Sequence, residues 1–314
     1  MAEKITILIP VFNDYESLTR LLDELAKHLE GYKDASFSVV VVNDGSTDKA
    51  ILHKPALFTL DLLHLKRNIG HQKAIAVGLA YIKENVYCDK VLIMDADGED
   101  KPEDALLLLR ASNNKSDKIV FALRRARRER NVFKFFYWLY KLSFFVLTGK
   151  KISFGNFMII PKPLLEKIVY YSEINNHLAG GIIKSKLAFQ SVPADRGMRY
   201  IGKSKMSFHT LLLHGLGAIA VFVEIIAARL LIFSLSLIGI SVLALLVLAG
   251  IKAFTHYAIP GWTSTVMSAI LIILLQSFLL SLFTVFLYFT SQSQQKYIPG
   301  MHYKDYTGTL EHIQ

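Results

Sequence analysis

Two long uncharged runs near the C-terminal end limit what this chain can fold into. The run from Leu230 to Ile251 contains no charged residue and is bracketed by Arg229 and Lys252. As a helix it would be about 33 Å long, enough to cross the hydrocarbon core of a bilayer. A second uncharged run covers residues 264–290. Because a backbone in lipid must satisfy its own hydrogen bonds, we predict two transmembrane helices, within residues 229–291.

The distribution of basic residues predicts how this pair of helices is oriented. The connecting segment 252–263 carries one lysine, whereas nearly all of the 36 Lys and Arg residues lie elsewhere in the chain. Since cytoplasmic segments are enriched in Lys and Arg, we expect a multi-pass membrane protein with both termini in the cytoplasm. The N-terminus shows no signal-peptide pattern, which agrees with a cytoplasmic catalytic part. A buried core hairpin is the alternative.

The preceding part of the chain alternates between strand and helix patterns. Ile5 to Ile9 is a predicted strand that Pro10 ends, and leucines at spacings of three and four predict a helix up to Leu29. Further strands are predicted at residues 37–42, 62–65, 91–94 and 118–122, with a helix at 74–83. Polar residues follow most of these strands. We therefore predict an α/β domain with a parallel sheet and a binding crevice at the carboxyl ends of its strands.

The residues that follow the strand at 91–94 carry the strongest chemical signal. Asp95 and Asp97 are two positions apart, so both side chains can face the same way on an extended segment. Close carboxylates repel each other, and their hard oxygen atoms suit Mg2+ or Mn2+. Taken alone, this pattern is more often a solvated turn, and Asp44-Gly45-Ser46 taken alone is an ordinary turn.

Four segments in order resemble family 2 glycosyltransferases with the GT-A fold. They are Ile9 to Asp14, Asn43 to Asp48 (similar to D-D-G-S-x-D), Asn68 to Gly70 with Gly78, and Asp95 to Glu103 (similar to D-A-D-x-Q-D-P-P-E). The resemblance implies a GT-A catalytic domain over residues 1–206. It implies that a nucleotide-sugar donor is bound by Pro10, Val11, Asn13, Asp14, Asp44, Gly45, Ser46, Gly70, Lys73, Asp95 and Ala96. Asp95 and Asp97 are the implied metal ligands. The resemblance also implies that Asp97 is catalytic, because the metal that it binds would stabilise the charge of the departing diphosphate.

A basic run that begins at Arg124 is similar to a segment of the polyprenyl-phosphate branch of that family. Arg124 and Arg127 match its R-x-x-R, which implies that they are catalytic residues binding the acceptor phosphate. Lys203 and Lys205 lie in a segment similar to G-x-S/T-K-Y and are expected beside the same phosphate. The aromatic-rich segment 131–148 is either a core helix or a helix lying at the membrane interface.

Three other segments depart from the family pattern or have no assigned role. Asn156 stands where the resembling enzymes often carry an acidic residue, and this weakens any assignment of a catalytic base there. A phosphate acceptor is ionised near neutral pH and needs no base, so Asn156 favours such an acceptor. Residues 207–228 are predicted to form a juxtamembrane helix. Residues 292–314 form a polar cytoplasmic tail without a predicted task.

The combined pattern predicts a membrane-bound, inverting polyprenyl-phosphate glycosyltransferase of cell-envelope biogenesis, and the resemblance implies that it lies in the bacterial inner membrane. The sugar would move from a UDP- or GDP-sugar to undecaprenyl phosphate at the cytoplasmic face, with Mg2+ or Mn2+ as cofactor. Two alternatives remain open: transfer to a hydroxyl of a lipid-linked glycan, and a non-catalytic membrane scaffold. The net charge of +10 alone does not indicate nucleic acid, and we expect no such partner. The family analogy implies a homo-oligomer.

Overall fold

The structure, a computed structural model, describes most of the chain. The described residues are 2–48, 52–113, 117–124, 131–150, 154–201, 215–254, 261–294 and 296–313. The chain divides into two compact units. The first comprises residues 1–141, 151–221 and 296–314, and the second comprises residues 142–150 and 222–295.

The first unit is built on a mixed sheet, which has eight strands among the described residues. Along the chain they are β1 (Glu3–Val11), β2 (Ala35–Asn43), β3 (Phe58–Leu65), β4 (Lys90–Ile93), β5 (Ile119–Arg124), β6 (Phe154–Pro161), β7 (Phe189–Ala194) and β8 (Thr307–Ile313). Their order across the sheet is β7-β5-β6-β4-β1-β2-β3-β8.

Helices cover both faces of this sheet, and two long helices form the second unit. The helices are α1 (Tyr15–Leu29), α2 (His71–Asn85), α3 (Pro102–Asn113), α4 (Asn131–Thr148), α5 (Lys162–Ile168), α6 (Leu178–Ser185), α7 (Val223–Phe254), α8 (Trp262–Ser293) and α9 (Pro299–Tyr306). A short 3-10 helix, Ser172–Asn175, precedes α6.

The parallel arrangement predicted for the first four strands is confirmed. β4, β1, β2 and β3 are neighbours in that order, and each pair is parallel. The antiparallel strands were not predicted. β6 lies antiparallel between β4 and β5, and β8 is antiparallel to β3. The polar loops after β1, β2 and β4 therefore meet at one edge of the sheet.

Our prediction that Pro10 ends the first strand is wrong, because β1 continues beyond it. The carbonyl of Leu8 accepts a hydrogen bond from the amide of Met94 at 3.2 Å, so Leu8 directs its backbone groups toward β4. Backbone groups alternate along a strand, and Pro10 therefore faces the same side. Pairing with β4 ends at Ile93, opposite Leu8. The missing amide of Pro10 thus breaks no bond of the ladder.

The core has two layers, one on each face of the sheet. α1 and α3 cover one face, and α2, α5 and α6 cover the other. β1 alternates between them, with Leu8 in one layer and Ile7 and Ile9 in the other. The predicted apolar face of α1 is confirmed. Its five leucines are fully buried: Leu18, Leu21, Leu22, Leu25 and Leu29.

The segment that was predicted to be a tail without a task returns to the first unit. Tyr303 of α9 is buried in the core, and its hydroxyl accepts a hydrogen bond from Asn85 Nδ2 at 3.2 Å. β8 then extends the sheet at its β3 edge. His312 Nδ1 lies 2.6 Å from Asp61 Oδ1 across this pair of strands. The tail therefore completes the sheet and covers the edge of β3.

Among the described residues, two helices are long and apolar enough to cross a membrane, Val223–Phe254 and Ser264–Ser293. The first extends the predicted run 230–251 at both ends, and the second extends the predicted run 264–290 at its C-terminal end. The residues 223–228 that we assigned to a separate juxtamembrane helix belong to α7. α7 and α8 pack against each other, and Ser234 Oγ and Ser281 Oγ share a hydrogen bond of 2.5 Å.

Candidate active site

A pocket opens where the loops after β1 and β2 meet the start of α2. It is lined by Pro10, Val11, Phe12, Asp44, Asn68, Gly70 and His71. Phe12 exposes 45% of its surface, so an aromatic ring is accessible at this edge of the sheet. An apolar wall with a few polar groups is typical of a site for a small organic ligand.

Asn13 holds the loop after β1 against the loop after β2. Its φ of 50° lies in the left-handed region, which asparagine adopts more readily than most residues. The amide of Asn13 donates to Ser46 Oγ at 2.9 Å, and its side-chain oxygen accepts from the amide of Thr47 at 2.8 Å. Asn13 and Ser46 therefore hold together the two loops from which the pocket is built. The donor contacts expected of them stay predictions.

Asp44 holds the loop before α2 in the same way. Its Oδ1 accepts from the amide of Ile69 at 2.7 Å, and its Oδ2 accepts from the amide of Gly70 at 3.0 Å. Burial raises the pKa of Asp44, and these two amides oppose that effect. Gly45 has a φ of 70°, and a Cβ there would lie 2.6 Å from the backbone nitrogen of Asn68. The two loops therefore pack backbone to backbone, and glycine is needed at this contact.

A chain of polar side chains lies behind Asp95. His71 Nε2 is 3.1 Å from Asp95 Oδ1 and also 3.1 Å from Asn156 Nδ2. Gln72 Nε2 donates to Asn156 Oδ1 at 3.1 Å, and Gln72 Oε1 accepts from the amide of Leu178 at 2.7 Å. Because a backbone amide can only donate, Leu178 orients Gln72, and Gln72 in turn orients Asn156. The amide group of Asn156 is therefore directed at His71.

The imidazole of His71 has two competing partners at one nitrogen atom. Nε2 can donate a proton to Asp95 or accept one from Asn156, but it cannot do both at once. Burial lowers the pKa of His71, but the charge of Asp95, the hydrogen bond to it and the charges of Asp100 and Asp44 together outweigh burial, so the pKa is raised. This shift favours the imidazolium, which donates to Asp95.

Asp97 is paired with a basic side chain from a distant part of the chain. Arg199 Nη1 lies 3.2 Å from Asp97 Oδ2, and Arg199 Nη2 donates to Asp14 Oδ2 at 3.0 Å. Asp97 Oδ1 accepts from the amide of Glu99 at 2.9 Å. Burial raises the pKa of Asp97, and the charges of Asp95 and Glu99 raise it further, against the amide of Glu99 and the charge of Arg199.

The segment 195–201 packs along the loop that carries Asp97. The amide of Tyr200 donates to the carbonyl of Asp97 at 3.0 Å, and Arg196 Nε donates to Glu99 Oε2 at 2.9 Å. Gly98 has a φ of 83°, and a Cβ there would lie 2.5 Å from the ring of Tyr200. This close packing holds Arg199 beside Asp97.

The segment from residue 6 to residue 176, more than half of the chain, matches the family model described as Glycosyl transferase family 2. The chain belongs to glycosyltransferase family 2. The predicted family is thus confirmed, and the residues that line the pocket, together with the loop after β4, lie within the matched segment.

This glycosyltransferase is similar to curated proteins over most of its length. It is 25% identical over 281 residues to the glycosyltransferase YkcC of Bacillus subtilis, covering 85% of this chain and 83% of that protein. It is 28% identical over 286 residues to YkoT of the same organism, covering 84% and 80%. A shorter match, 30% identical over 133 residues, is to the undecaprenyl-phosphate 4-deoxy-4-formamido-L-arabinose transferase of Sodalis glossinidius, covering 40% and 39%.

Solved structures show the fold of this glycosyltransferase. Glucosyl-3-phosphoglycerate synthase from Mycobacterium tuberculosis, in complex with Mn2+, UDP-glucose and phosphoglyceric acid, matches with a TM-score of 0.52 at 13% identity, covering 71% of this chain and 80% of that one. Mannosyl-3-phosphoglycerate synthase from Rubrobacter xylanophilus matches with a TM-score of 0.50 at 16% identity, covering 73% and 74%. The predicted GT-A fold is therefore confirmed.

The structure brings most of the predicted site residues of the glycosyltransferase to the pocket and the loops around it. The pocket is lined by Pro10, Val11, Asp44 and Gly70. The supporting loops and the loop after β4 contain Asn13, Asp14, Gly45, Ser46, Asp95, Ala96 and Asp97. Lys73 is exposed on the first turn of α2. Arg124 is the last residue of β5, while Arg127, Lys203 and Lys205 lie outside the described residues.

Three residues that contact this site were not predicted. His71 and Gln72 follow the N-x-G loop directly, and a polar pair at the start of a helix that faces the crevice is the signal that would have identified them. Arg199 pairs with Asp14 across 185 positions of sequence. Nothing local to Arg199 indicates that pairing.

The two carboxylates after β4 fit a divalent cation as a partial ligand set. Asp95 and Asp97 supply hard oxygen atoms, and the charge of Asp95 raises the pKa of Asp97, which a cation would reverse. Within the described ranges, no group of three or more His, Cys, Asp or Glu side chains is arranged to hold a metal ion. A cation held here would therefore need ligands from a substrate or from water, as Mg2+ commonly does.

Proposed function

We propose that this glycosyltransferase moves a sugar, with inversion, from a UDP- or GDP-sugar to a polyprenyl phosphate at the cytoplasmic face of the membrane. The observation that carries the proposal is the position of β8. The sheet that presents Asp95 and Asp97 is completed by a strand that follows both apolar helices in the chain. The chain thus leaves the catalytic unit for two bilayer-length helices and then returns to it. Such a connection suits an acceptor that is itself embedded in lipid.

The pocket supports the donor assignment. Phe12 and Pro10 offer apolar surface to a nucleobase, and each oxygen of Asp44 keeps a lone pair beyond the backbone amide that it accepts. The Mn2+ and UDP-glucose in a structural relative support the same donor class.

Asp95 and Asp97 would hold Mg2+ or Mn2+ beside the donor. When bound, the cation supplies positive charge that stabilises the departing nucleoside diphosphate. Asp97 is kept in place by the amide of Glu99, and Asp95 by His71. These contacts orient both carboxylates before any substrate arrives, which lowers the reorganisation needed in the transition state.

The contacts of Asn156 support a phosphate acceptor. Its amide oxygen accepts from Gln72 and its amide nitrogen faces His71, so this position supplies no carboxylate to remove a proton. A phosphate monoester carries between one and two negative charges near neutral pH, and its oxygen attacks without a general base. Arg124, Arg127, Lys203 and Lys205 are the proposed contacts of that phosphate.

Two features support the proposed membrane arrangement. Over residues 138–148, the part of α4 whose side chains are described, five large apolar side chains are exposed: Trp138, Leu139, Leu142, Phe145 and Val146. Such a face suits a helix lying at the interface. Because β8 pairs with β3, the segments before α7 and after α8 must share one compartment, which requires an even number of crossings. The positive charge outside the connecting segment then favours the cytoplasm for that compartment.

The full-length protein in detergent tests the reaction. We would incubate it with Mn2+ and a panel of radiolabelled UDP- and GDP-sugars, adding undecaprenyl phosphate, undecaprenol or no lipid. We expect label in the lipid phase with the phosphate only, and its loss in Asp97→Asn. Asp48→Asn, an exposed carboxylate on the loop after β2, is the matched control and should retain activity.

The other outcomes separate the alternatives. Labelling of a hydroxyl acceptor, but not of the phosphate, would replace the proposal with the hydroxyl-acceptor reaction. If no donor were bound or hydrolysed, a non-catalytic scaffold would be the better description. Labelling that persists in Asp97→Asn would contradict the role given to that carboxylate.

Cysteine labelling tests the membrane arrangement independently of the chemistry. Cys88 is the single cysteine of the sequence and is buried, so the wild-type protein provides a low background. In intact cells, a membrane-impermeant maleimide should label Tyr257→Cys in the connecting segment. It should label Met301→Cys, at an exposed position of α9, only after lysis. Labelling of both in intact cells, or of neither, would contradict the arrangement.

A further inference from the structure

Arg199 joins two carboxylates that belong to different loops of the crevice. Its guanidinium is 3.0 Å from Asp14 Oδ2 and 3.2 Å from Asp97 Oδ2, and 19% of the side chain is exposed. Asp14 follows β1 and Asp97 follows β4, so the contact spans the edge of the sheet where those two strands are neighbours. The bridge therefore closes one side of the proposed metal site.

The pairing places the charge of Arg199 beside Asp97, where the proposed metal ion would bring a second positive charge. A cation bound to Asp97 would lie close to the guanidinium, and like charges at that distance repel in a partly buried site. Asp97 Oδ1 accepts a hydrogen bond from the amide of Glu99. Oδ2, the atom beside Arg199, is therefore the oxygen that could more easily exchange its present partner for a metal ion. Arg199 and a metal ion therefore compete for the same carboxylate oxygen.

Arg199 can give up this contact without losing its other one. Asp14 binds the same guanidinium through the other nitrogen atom, Nη2. Its neighbour Arg196 differs, because it pairs with Glu99 and holds the segment 195–201 in place. The two arginines therefore have different roles. Arg196 fixes the segment 195–201, and Arg199 supplies a charge that can leave Asp97 while it stays paired with Asp14.

We propose that Arg199 is a resident counter-ion of Asp97, which weakens metal binding in the donor-free enzyme and releases Asp97 when a metal ion and a nucleoside diphosphate bind together. This inference rests on the proposed function, since it takes Asp97 as a metal ligand. The diphosphate brings the negative charge that compensates both cations, so metal and nucleotide bind cooperatively. Arg199 is then a positioning residue that sets the order of binding.

Mn2+ binding to the full-length protein, followed by the electron paramagnetic resonance signal of the free ion, tests the inference without turnover. Mn2+ would be titrated alone and with UDP or GDP. We expect Arg199→Gln to bind Mn2+ alone about tenfold more tightly than the wild type, within the range typical of coupled sites, and to lose a matching part of the tightening by nucleotide. Arg199→Lys, which keeps the charge, should resemble the wild type. Arg196→Gln, which loosens the segment 195–201 but keeps the charge of Arg199, is the matched control and should change Mn2+ binding less than Arg199→Gln does.

The outcomes distinguish this inference from the proposed function. If Arg199→Gln binds Mn2+ no more tightly than the wild type, or if neither protein binds Mn2+, the counter-ion role is refuted. If neither UDP nor GDP tightens Mn2+ binding to the wild type, the proposed donor class fails, while the comparison with Mn2+ alone still decides the role of Arg199. If Arg196→Gln bound Mn2+ alone as much more tightly as Arg199→Gln does, the cause would be a loosened segment 195–201 and not the lost charge, and the proposal would be overturned.

Discussion

Replacing Asp44 by asparagine removes one acceptor from a buried contact and leaves its shape unchanged. Asp44 accepts from two backbone amides through its two oxygen atoms, at 2.7 Å from Ile69 and 3.0 Å from Gly70. The asparagine amide has a single oxygen, so its nitrogen must face one of these N–H groups. One donor loses its partner, and two donors are brought together at hydrogen-bond distance.

The size of the effect follows from these contacts. A buried N–H group left without an acceptor costs about 1–3 kcal/mol, and a hydrogen bond to a charged group contributes about 1.5–3 kcal/mol. The change also removes a buried charge whose desolvation raises the pKa of Asp44, and this relief offsets part of the loss. We expect Asp44→Asn to lower the free energy of unfolding by about 2 kcal/mol, or the melting temperature by about 4–8 °C.

Thermal unfolding in detergent, followed by tryptophan fluorescence and with Asp48→Asn as the control, measures this effect. Asp48 lies exposed on the same loop, so the same chemical change there should stay within about 0.5 kcal/mol. UDP or GDP affinity should fall in Asp44→Asn, because the pocket wall 68–70 loses its anchor. Equal melting temperatures for the two variants would refute the reasoning that Asp44 holds this loop.

Changes at three further positions test other parts of the structure in the same unfolding assay. Gly98→Ala should lower stability by about 1–2 kcal/mol from its positive φ alone, and by more if the ring of Tyr200 cannot move away; unchanged stability would argue against that packing. Burial raises the pKa of Glu173, but the hydrogen bond from Lys184 at 2.9 Å, a backbone hydrogen bond and the charges of Lys184 and Lys296 together outweigh burial, so the pKa is lowered. The stabilising contribution of Glu173 is therefore present above about pH 4.3 and is lost as the pH falls through the lowered pKa. Glu173→Gln should therefore be about 1 kcal/mol less stable than the wild type at pH 7 and equal to it near pH 3, and a difference independent of pH would contradict this assignment. Tyr303→Ala should lower stability by about 3–5 kcal/mol and Tyr303→Phe by about 1 kcal/mol, whereas near-wild-type stability of both would mean that the tail is not part of the core.

The elements that were predicted correctly depend on local patterns. The leucine spacing of α1 and the apolar strand before Asp95 each report burial within a few residues, and a polar residue after such a strand marks its carboxyl end. The pairing of β1 with β2, and of β2 with β3, follows the tendency of consecutive parallel strands to lie side by side, whereas nothing in the local pattern indicates that β4 lies beside β1 and not beside β3. The crevice and its carboxylates could therefore be predicted before the structure.

The elements that were missed depend on contacts between distant parts of the chain. Arg199 meets Asp14 across 185 positions, and β8 meets β3 with 251 positions between His312 and Asp61. The sequence of β8, Thr307–Ile313, is short and exposed, so its periodicity does not distinguish a strand from a solvated tail. Pro10 was misread for a related reason. Its effect depends on which neighbour its backbone faces, and this is set by the pairing partner.

The position of β8 in the chain has a consequence for how the protein is made. The ribosome synthesises β8 after both α7 and α8, so the sheet of the first unit stays incomplete until the apolar helices have left the exit tunnel. Until then β3 is an open edge, with unpaired backbone groups that can pair with another chain. A nascent chain that stalls before helix insertion would therefore present an aggregation-prone edge, whereas one whose helices have inserted can close its own sheet. A completed sheet therefore indicates that both apolar helices have left the ribosome.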